Sequence, residues 1–151
     1  MISSTLKKWI GLPITCENPK SIFVGLIGGV GDLLAAAPSV AALKRKYPKA
    51  KLTFGVGDGI FFSTIKNDPN IDHFETPFSY NVWKKRYHRK TYREKYKEHD
   101  LVFLLDNGNR DWWKPQKHLL DIYAEKCGVT LEHRRPLIYL DDNDIQEAQN
   151  K

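Results

Sequence analysis

The run SIFVGLI, Ser21–Ile27, restricts the fold more than any other stretch. β-Branched and aromatic residues follow one another there with no polar alternation. Such a strand is buried on both faces, which places it inside a parallel sheet covered by helices. Three glycines follow within GGVGD, Gly28–Asp32, and then an alanine-rich run. In that run Ala36, Val40, Leu43 and Tyr47 recur on one face of a 3.6-residue period. Lys44, Arg45 and Lys46 load its last turn, where cations complement the helix dipole. Pro38 sits awkwardly inside the run, and predicts either a helix that starts near it or one that bends there.

The same order recurs downstream. Lys51–Val56 reads as a second strand, closed by GDG at Gly57–Gly59. A short apolar helix is expected over Ile60–Lys66, a turn at NDPN and a small strand near His73–Glu75. A basic helix would span Val82–Glu98, and DLVFLLD, Asp100–Asp106, is a clear strand. NGNRD is a loop. Lys114–Cys127 reads as a helix with Leu119, Ile122, Tyr123 and Lys126 on one face, and Gly128 suits the position past its end. RPLIYL, Arg135–Leu140, is the expected fifth strand, and DDNDIQEAQNK opens another helix. This alternation predicts an α/β fold, a Rossmann-like, doubly wound parallel sheet with right-handed crossovers.

The 151 residues suffice for one domain with a sizeable core. Residues 1–20 read as a leader, either a short surface helix over Leu6–Leu12 or a loosely ordered segment. They lack the apolar stretch of a secretory signal, and no apolar run approaches the ~20 residues of a membrane span. The expected location is the cytoplasm. Cys16 and Cys127 have no metal-ligand spacing and read as free thiols. His73, His88, His99, His118 and His133 show no paired spacing either, so neither a metal site nor a cofactor is expected.

GGVGD is not a dinucleotide fingerprint, because Leu34 stands where the third glycine belongs. It is not a P-loop, since no Gly-Lys-Ser/Thr follows. Two readings of the turn stand side by side. The glycines serve a tight turn and close helix–sheet packing, or their backbone N–H groups bind an anion. Asp32 has two readings as well. It caps a helix start, or it accepts a proton from a substrate hydroxyl beyond the carboxyl end of the strand.

Taken in order, several segments resemble glycosyltransferase family nine, the ADP-heptose:lipopolysaccharide heptosyltransferases. They are Gly31-Asp32 after the first strand, the apolar stretch Leu33–Ala37 ending at Pro38, the helix Val40–Lys46, Tyr47-Pro48, IKNDPNIDHFE, HDLVFLLDN, HLLDIYAEKCGV and RPLIYLDDNDIQEA. The resemblance covers nearly all of residues 21–148. It implies the N-terminal half of a two-domain GT-B architecture: an acceptor-side domain over 21–140, with 141–151 leading towards a donor-binding domain. It also implies inverting transfer of a heptose-like sugar from a nucleotide-sugar to a lipopolysaccharide-type acceptor, with Asp32 as general base. Gly28, Gly29 and Gly31 would line the substrate site. Many members carry Arg and Ser in this turn. Here Leu26, Gly28 and Gly29 stand at those positions, so such contacts would pass to backbone N–H groups.

Two further segments carry candidate residues. Trp83–Glu98 holds eight cations against two glutamates, an excess equal to the whole net charge of +6. Lys84, Arg86 and Arg89 there would suit an anionic glycan, a phosphorylated lipid head group or an anionic membrane surface. A solvated basic face on a docked helix explains the same residues, while nucleic acid is the weaker fit. After Asp106, Asn107, Asn109 and Arg110 could bond acceptor hydroxyls, and Trp112 could stack on a sugar. A polar turn with one buried Trp is the plain alternative. The rival function is a non-catalytic module of similar fold that holds an anionic ligand through residues 84–97.

Overall fold

The computed structural model describes residues 16–57, 62–76, 78, 96–105 and 117–150. In chain order these form β1 (Ser21–Leu26), α1 (Val30–Lys46), β2 (Lys51–Val56), β3 (His73–Glu75), β4 (Leu101–Leu105), α2 (Leu119–Cys127) and α3 (Asp142–Gln149). The four strands are all parallel, in the order β3-β2-β1-β4. β1 lies between β2 and β4, with Val24 aligned to Phe54 on one side and Phe103 on the other. That central place accounts for its uninterrupted apolar sequence.

Side chains alternate across the sheet. On one face Ile22, Val24, Leu26, Leu52, Phe54, Val56, Leu101 and Leu105 join the main core, with Leu33, Ala36, Val40 and Leu43 of α1 and Leu120, Tyr123 and Cys127 of α2. Each large apolar side chain buried this fully contributes about 1.5–3 kcal/mol. On the other face Phe23 packs with Phe78 and Tyr96. The Phe23 and Tyr96 rings stack with centroids 3.9 Å apart.

Several expectations need correction or refinement. The helix expected over Lys114–Cys127 is observed from Leu119, and residues 114–116 lie outside those described. Its buried stripe is Leu120, Tyr123, Ala124 and Cys127, while Lys126 is exposed. The stripe is turned from the expected one: a small Ala and a thiol, rather than a lysine, are buried. The described part of the helix expected over Ile60–Lys66 is a single turn, with Ile65 and Lys66 N–H groups both donating to the Phe62 carbonyl. Gly128 holds φ 62° past the end of α2 as expected, and its N–H closes on the carbonyls of Ala124 and Glu125.

Arg135–Leu140 is not a strand, and among the described residues the sheet has four strands rather than five. The segment lies against α1 instead of a strand edge. Pro38 is inside α1, which runs continuously from Val30 to Lys46. Lacking an N–H, Pro38 leaves the Leu34 carbonyl without its helical donor. The Leu137 N–H donates to that carbonyl at 3.3 Å. The proline thus opens an acceptor on α1 that the later segment uses. Further on, the Asn70 side-chain amide donates to the Tyr139 hydroxyl at 3.2 Å and to Asp68 at 2.8 Å. Burial pushes the Asp68 carboxyl above its ordinary range, against the pull of its Asn70 hydrogen bonds.

Candidate functional site

β1, β2 and β4 finish level, since Leu26 aligns with both Val56 and Leu105. Ligands of open α/β sheets bind beyond such carboxyl ends. The turn Ile27–Gly29 leaves β1 there and enters α1. Gly29 is the N-cap, with extended backbone at φ −83° and ψ −173°. Asp32 stands three residues on, and its Oδ2 accepts the Gly29 N–H at 2.9 Å. This is the returning half of a capping box, and it satisfies one donor at the start of the helix. The helix-start reading of Asp32 therefore describes a contact that exists.

A second contact is not local. The Tyr123 hydroxyl, delivered from α2, donates to Asp32 Oδ1 at 3.1 Å. Tyr123 is fully buried in the core, while Asp32 is half-buried. Each carboxylate oxygen thus accepts one hydrogen bond. A carboxylate has about four acceptor positions, so capacity remains for a hydroxyl arriving from solvent.

The glycines of the turn divide by role. A Cβ on Gly28 would stand 2.5 Å from Asp32 Oδ2 and 2.5 Å from its Cβ, so only glycine leaves the carboxylate its place. A Cβ on Gly29 or Gly31 would meet nothing within 4 Å. Among the described residues only Gly128 has positive φ, so these turn glycines supply space rather than left-handed backbone.

The structure brings Gly28, Gly29, Gly31 and Asp32 together. Lys84, Arg86, Arg89, Asn107, Asn109, Arg110 and Trp112 lie outside the described residues, as does most of the leader. Tyr123 is the partner that sequence reasoning missed. Its signal was a lone phenol on an apolar helical stripe, which in periodicity looks the same as any core aromatic. His118 accepts the Leu120 N–H through Nδ1 at 3.2 Å and caps α2. Cys127 offers no nucleophile, because burial pushes its thiol up to about 12. Cys16 and Cys127 are both free thiols, half-buried and buried respectively. Among the described residues no three His, Cys, Asp or Glu side chains gather as a metal site. No described helix is long and apolar enough to cross a membrane.

A separate open cleft of about 380 Å³ lies between Thr64 and Lys66 on one side and Ile138, Leu140 and Asp144 on the other. Asp32 does not line it.

The class defined by this geometry is an α/β domain with a four-stranded parallel sheet and a carboxylate at the carboxyl end of its central strand. No protein-family model matches the sequence, and no curated protein matches it. Among solved structures the chain is similar to a family 9 glycosyl transferase from Veillonella parvula DSM 2008. The TM-score is 0.62 at 16% identity, over 89% of this chain and 49% of that one. It also aligns with the ADP-heptose LPS heptosyltransferase II of E. coli, at a TM-score of 0.40 and 16% identity, over 72% of this chain and 28% of that one. The chain spans about half the length of the Veillonella structure. Its fold is that of one half of a GT-B glycosyltransferase.

Proposed function

We propose that this chain is the acceptor-side half of an inverting glycosyltransferase of the family-nine type, with Asp32 as its general base. The observation that carries the reading is the pose of Asp32. Its carboxylate is half-buried at the level carboxyl ends of β1, β2 and β4, and is fixed at both oxygens. A base must lie within hydrogen-bond reach of the proton it takes, and this position is where an acceptor would sit. Asp32 removes the proton from an acceptor hydroxyl. The oxygen then attacks the anomeric carbon of the donated sugar, and the nucleoside diphosphate leaves from the opposite face. No covalent glycosyl-enzyme forms, so the anomeric configuration inverts.

The resemblance points to a heptose-like donor and a lipopolysaccharide-type acceptor. The resemblance implies that a second lobe holds most of the nucleotide-sugar, and this chain covers 49% of the Veillonella structure. Open space over Gly29 and Gly31 lets an acceptor approach the backbone closely. The cations of residues 84–97 suit acidic sugars, phosphates and an anionic membrane surface.

Amide shift mapping on this chain tests the reading. Deacylated lipopolysaccharide inner-core oligosaccharide should move the Gly29, Gly31 and Asp32 amides, and ADP should leave them in place. A response to ADP alone would make the chain a nucleotide-binding module instead.

A further inference from the structure

We infer that Tyr123 is the positioning residue for Asp32, the group that sets the direction in which the carboxylate presents its free lone pairs. The inference rests on the reading of Asp32 as a base and adds the element that aims it.

A carboxylate held through one oxygen keeps a soft torsion about its Cβ–Cγ bond, because that well is broad. The Gly29 N–H, at 2.9 Å from Oδ2, restrains that torsion at one oxygen only. A second donor on the other oxygen fixes it. The Tyr123 hydroxyl is that donor, 3.1 Å from Oδ1. It is suited to the task because its ring does not move. Tyr123 is fully buried, in the same core as Leu33 and Leu43 of α1 and Leu120 and Cys127 of α2. An aromatic ring with two torsions, packed on all sides, delivers its hydroxyl to one place.

The two donors also come from different parts of the chain. Gly29 belongs to the turn after β1 and Tyr123 to α2, 91 residues from Asp32. The carboxylate plane is therefore tied to the packing of α2 on α1. Gly28 completes the arrangement, since a side chain there would occupy the position of the carboxylate. An acid placed only to cap a helix needs the Gly29 contact and nothing from α2. Loss of aim at a reacting centre is costly in rate, because misplacement by about 1 Å can cost 10²-fold.

The test substitutes Tyr123→Phe, which keeps the buried ring and removes only the donor. In this chain the Asp32 carboxyl ¹³C resonance should move further than that of any other aspartate, and a crystal structure should show the carboxylate turned about Cβ–Cγ. Where the chain acts with its donor lobe on ADP-heptose and deacylated lipopolysaccharide, turnover should fall about tenfold while KM for the acceptor holds. A purely structural Tyr123 would lower the melting temperature and leave the Asp32 resonance in place, and that result overturns the inference. Should Tyr123→Phe fail to fold, Asp32→Asn gives the reciprocal measurement. The Tyr123 Cζ resonance then shifts if its hydroxyl bonds Asp32, and an unmoved Cζ overturns the inference. Full turnover in Asp32→Asn would remove the base while leaving the anchoring, read on the carboxyl resonance, intact.

Discussion

α1 and α3 begin in the same way and end up in opposite circumstances. Each carries an aspartate at its third position, Asp32 in α1 and Asp144 in α3, whose carboxylate accepts the N-cap backbone N–H. α1 then buries ten of its residues, and α3 buries none. The second hydrogen bond of each aspartate differs accordingly. Asp32 receives a phenol from the core, whereas Asp144 receives the Asn67 amide and faces Lys66 at 3.4 Å. α3 is tethered by polar pairs of this kind, which contribute little when water competes for them. Local capping starts a helix, and burial decides whether its first turn becomes a rigid part of a site.

The contrast extends to the segments around each helix. Before α1, β1 is almost entirely inaccessible. Before α3, Ile138 and Leu140 are 56% and 57% exposed, and Ile145 within α3 is 43% exposed. Truncations should separate the two regions widely. Leu52→Ala, under α1, should cost about 2–5 kcal/mol in denaturant unfolding. A cost below 1 kcal/mol would mean that this face of the sheet is loosely packed.

Gly28→Ala probes the first turn of α1 directly. The added methyl would stand against the Asp32 carboxylate, and overpacking of this kind costs about 1–3 kcal/mol. Calorimetry should show that loss, and the Asp32 carboxyl resonance should shift with it. An unmoved resonance would show that the turn relaxes without disturbing the acid.

Acid titration probes a different attachment. Burial works against the Asp72 carboxylate, but the Lys44 ammonium at 2.6 Å and the Leu52 N–H at 2.7 Å outweigh it and hold it below its ordinary value of 3.8. A carboxylate depressed in the folded state stabilises fully above the unfolded value. That contribution is lost as pH falls from about there through the folded value. Asp72→Asn should therefore lower stability at pH 7 and flatten its decline below pH 4. Parallel curves for the two proteins would contradict the assignment. The smallest effect belongs to the exposed segment: Leu140→Ala should change stability by no more than about 0.5 kcal/mol.

Much of this was legible in the sequence, for physical reasons. β1, α1, β2 and β4 were readable because each carries a strong apolar pattern and ends in turn chemistry. Gly128 was readable because helix ends favour a residue tolerant of positive φ. RPLIYL was misread because a short apolar run looks like a strand, and pattern cannot say whether an edge is there to pair with. Pro38 was visible as a difficulty. That the Leu34 carbonyl it leaves open would take the Leu137 N–H depended on two segments about a hundred residues apart meeting in space. The site divides in the same way. Asp32 and its glycines were proposed from local chemistry and family resemblance, and the structure shows the contacts between them. Tyr123 was not, because the partner of a buried hydroxyl is set by tertiary packing.

The account turns on whether Asp32 acts on substrate or only starts a helix. The direct measurement is turnover and melting temperature together for Asp32→Asn, in the chain supplied with the donor lobe that the proposed function calls for. The amide keeps an oxygen for the Gly29 N–H, so the helix start survives. The account predicts a fall in turnover of about 10²–10⁴-fold, with the melting temperature shifted by only a few degrees. Turnover close to that of the unmutated protein, with any loss confined to stability, would make Asp32 a helix cap and nothing more.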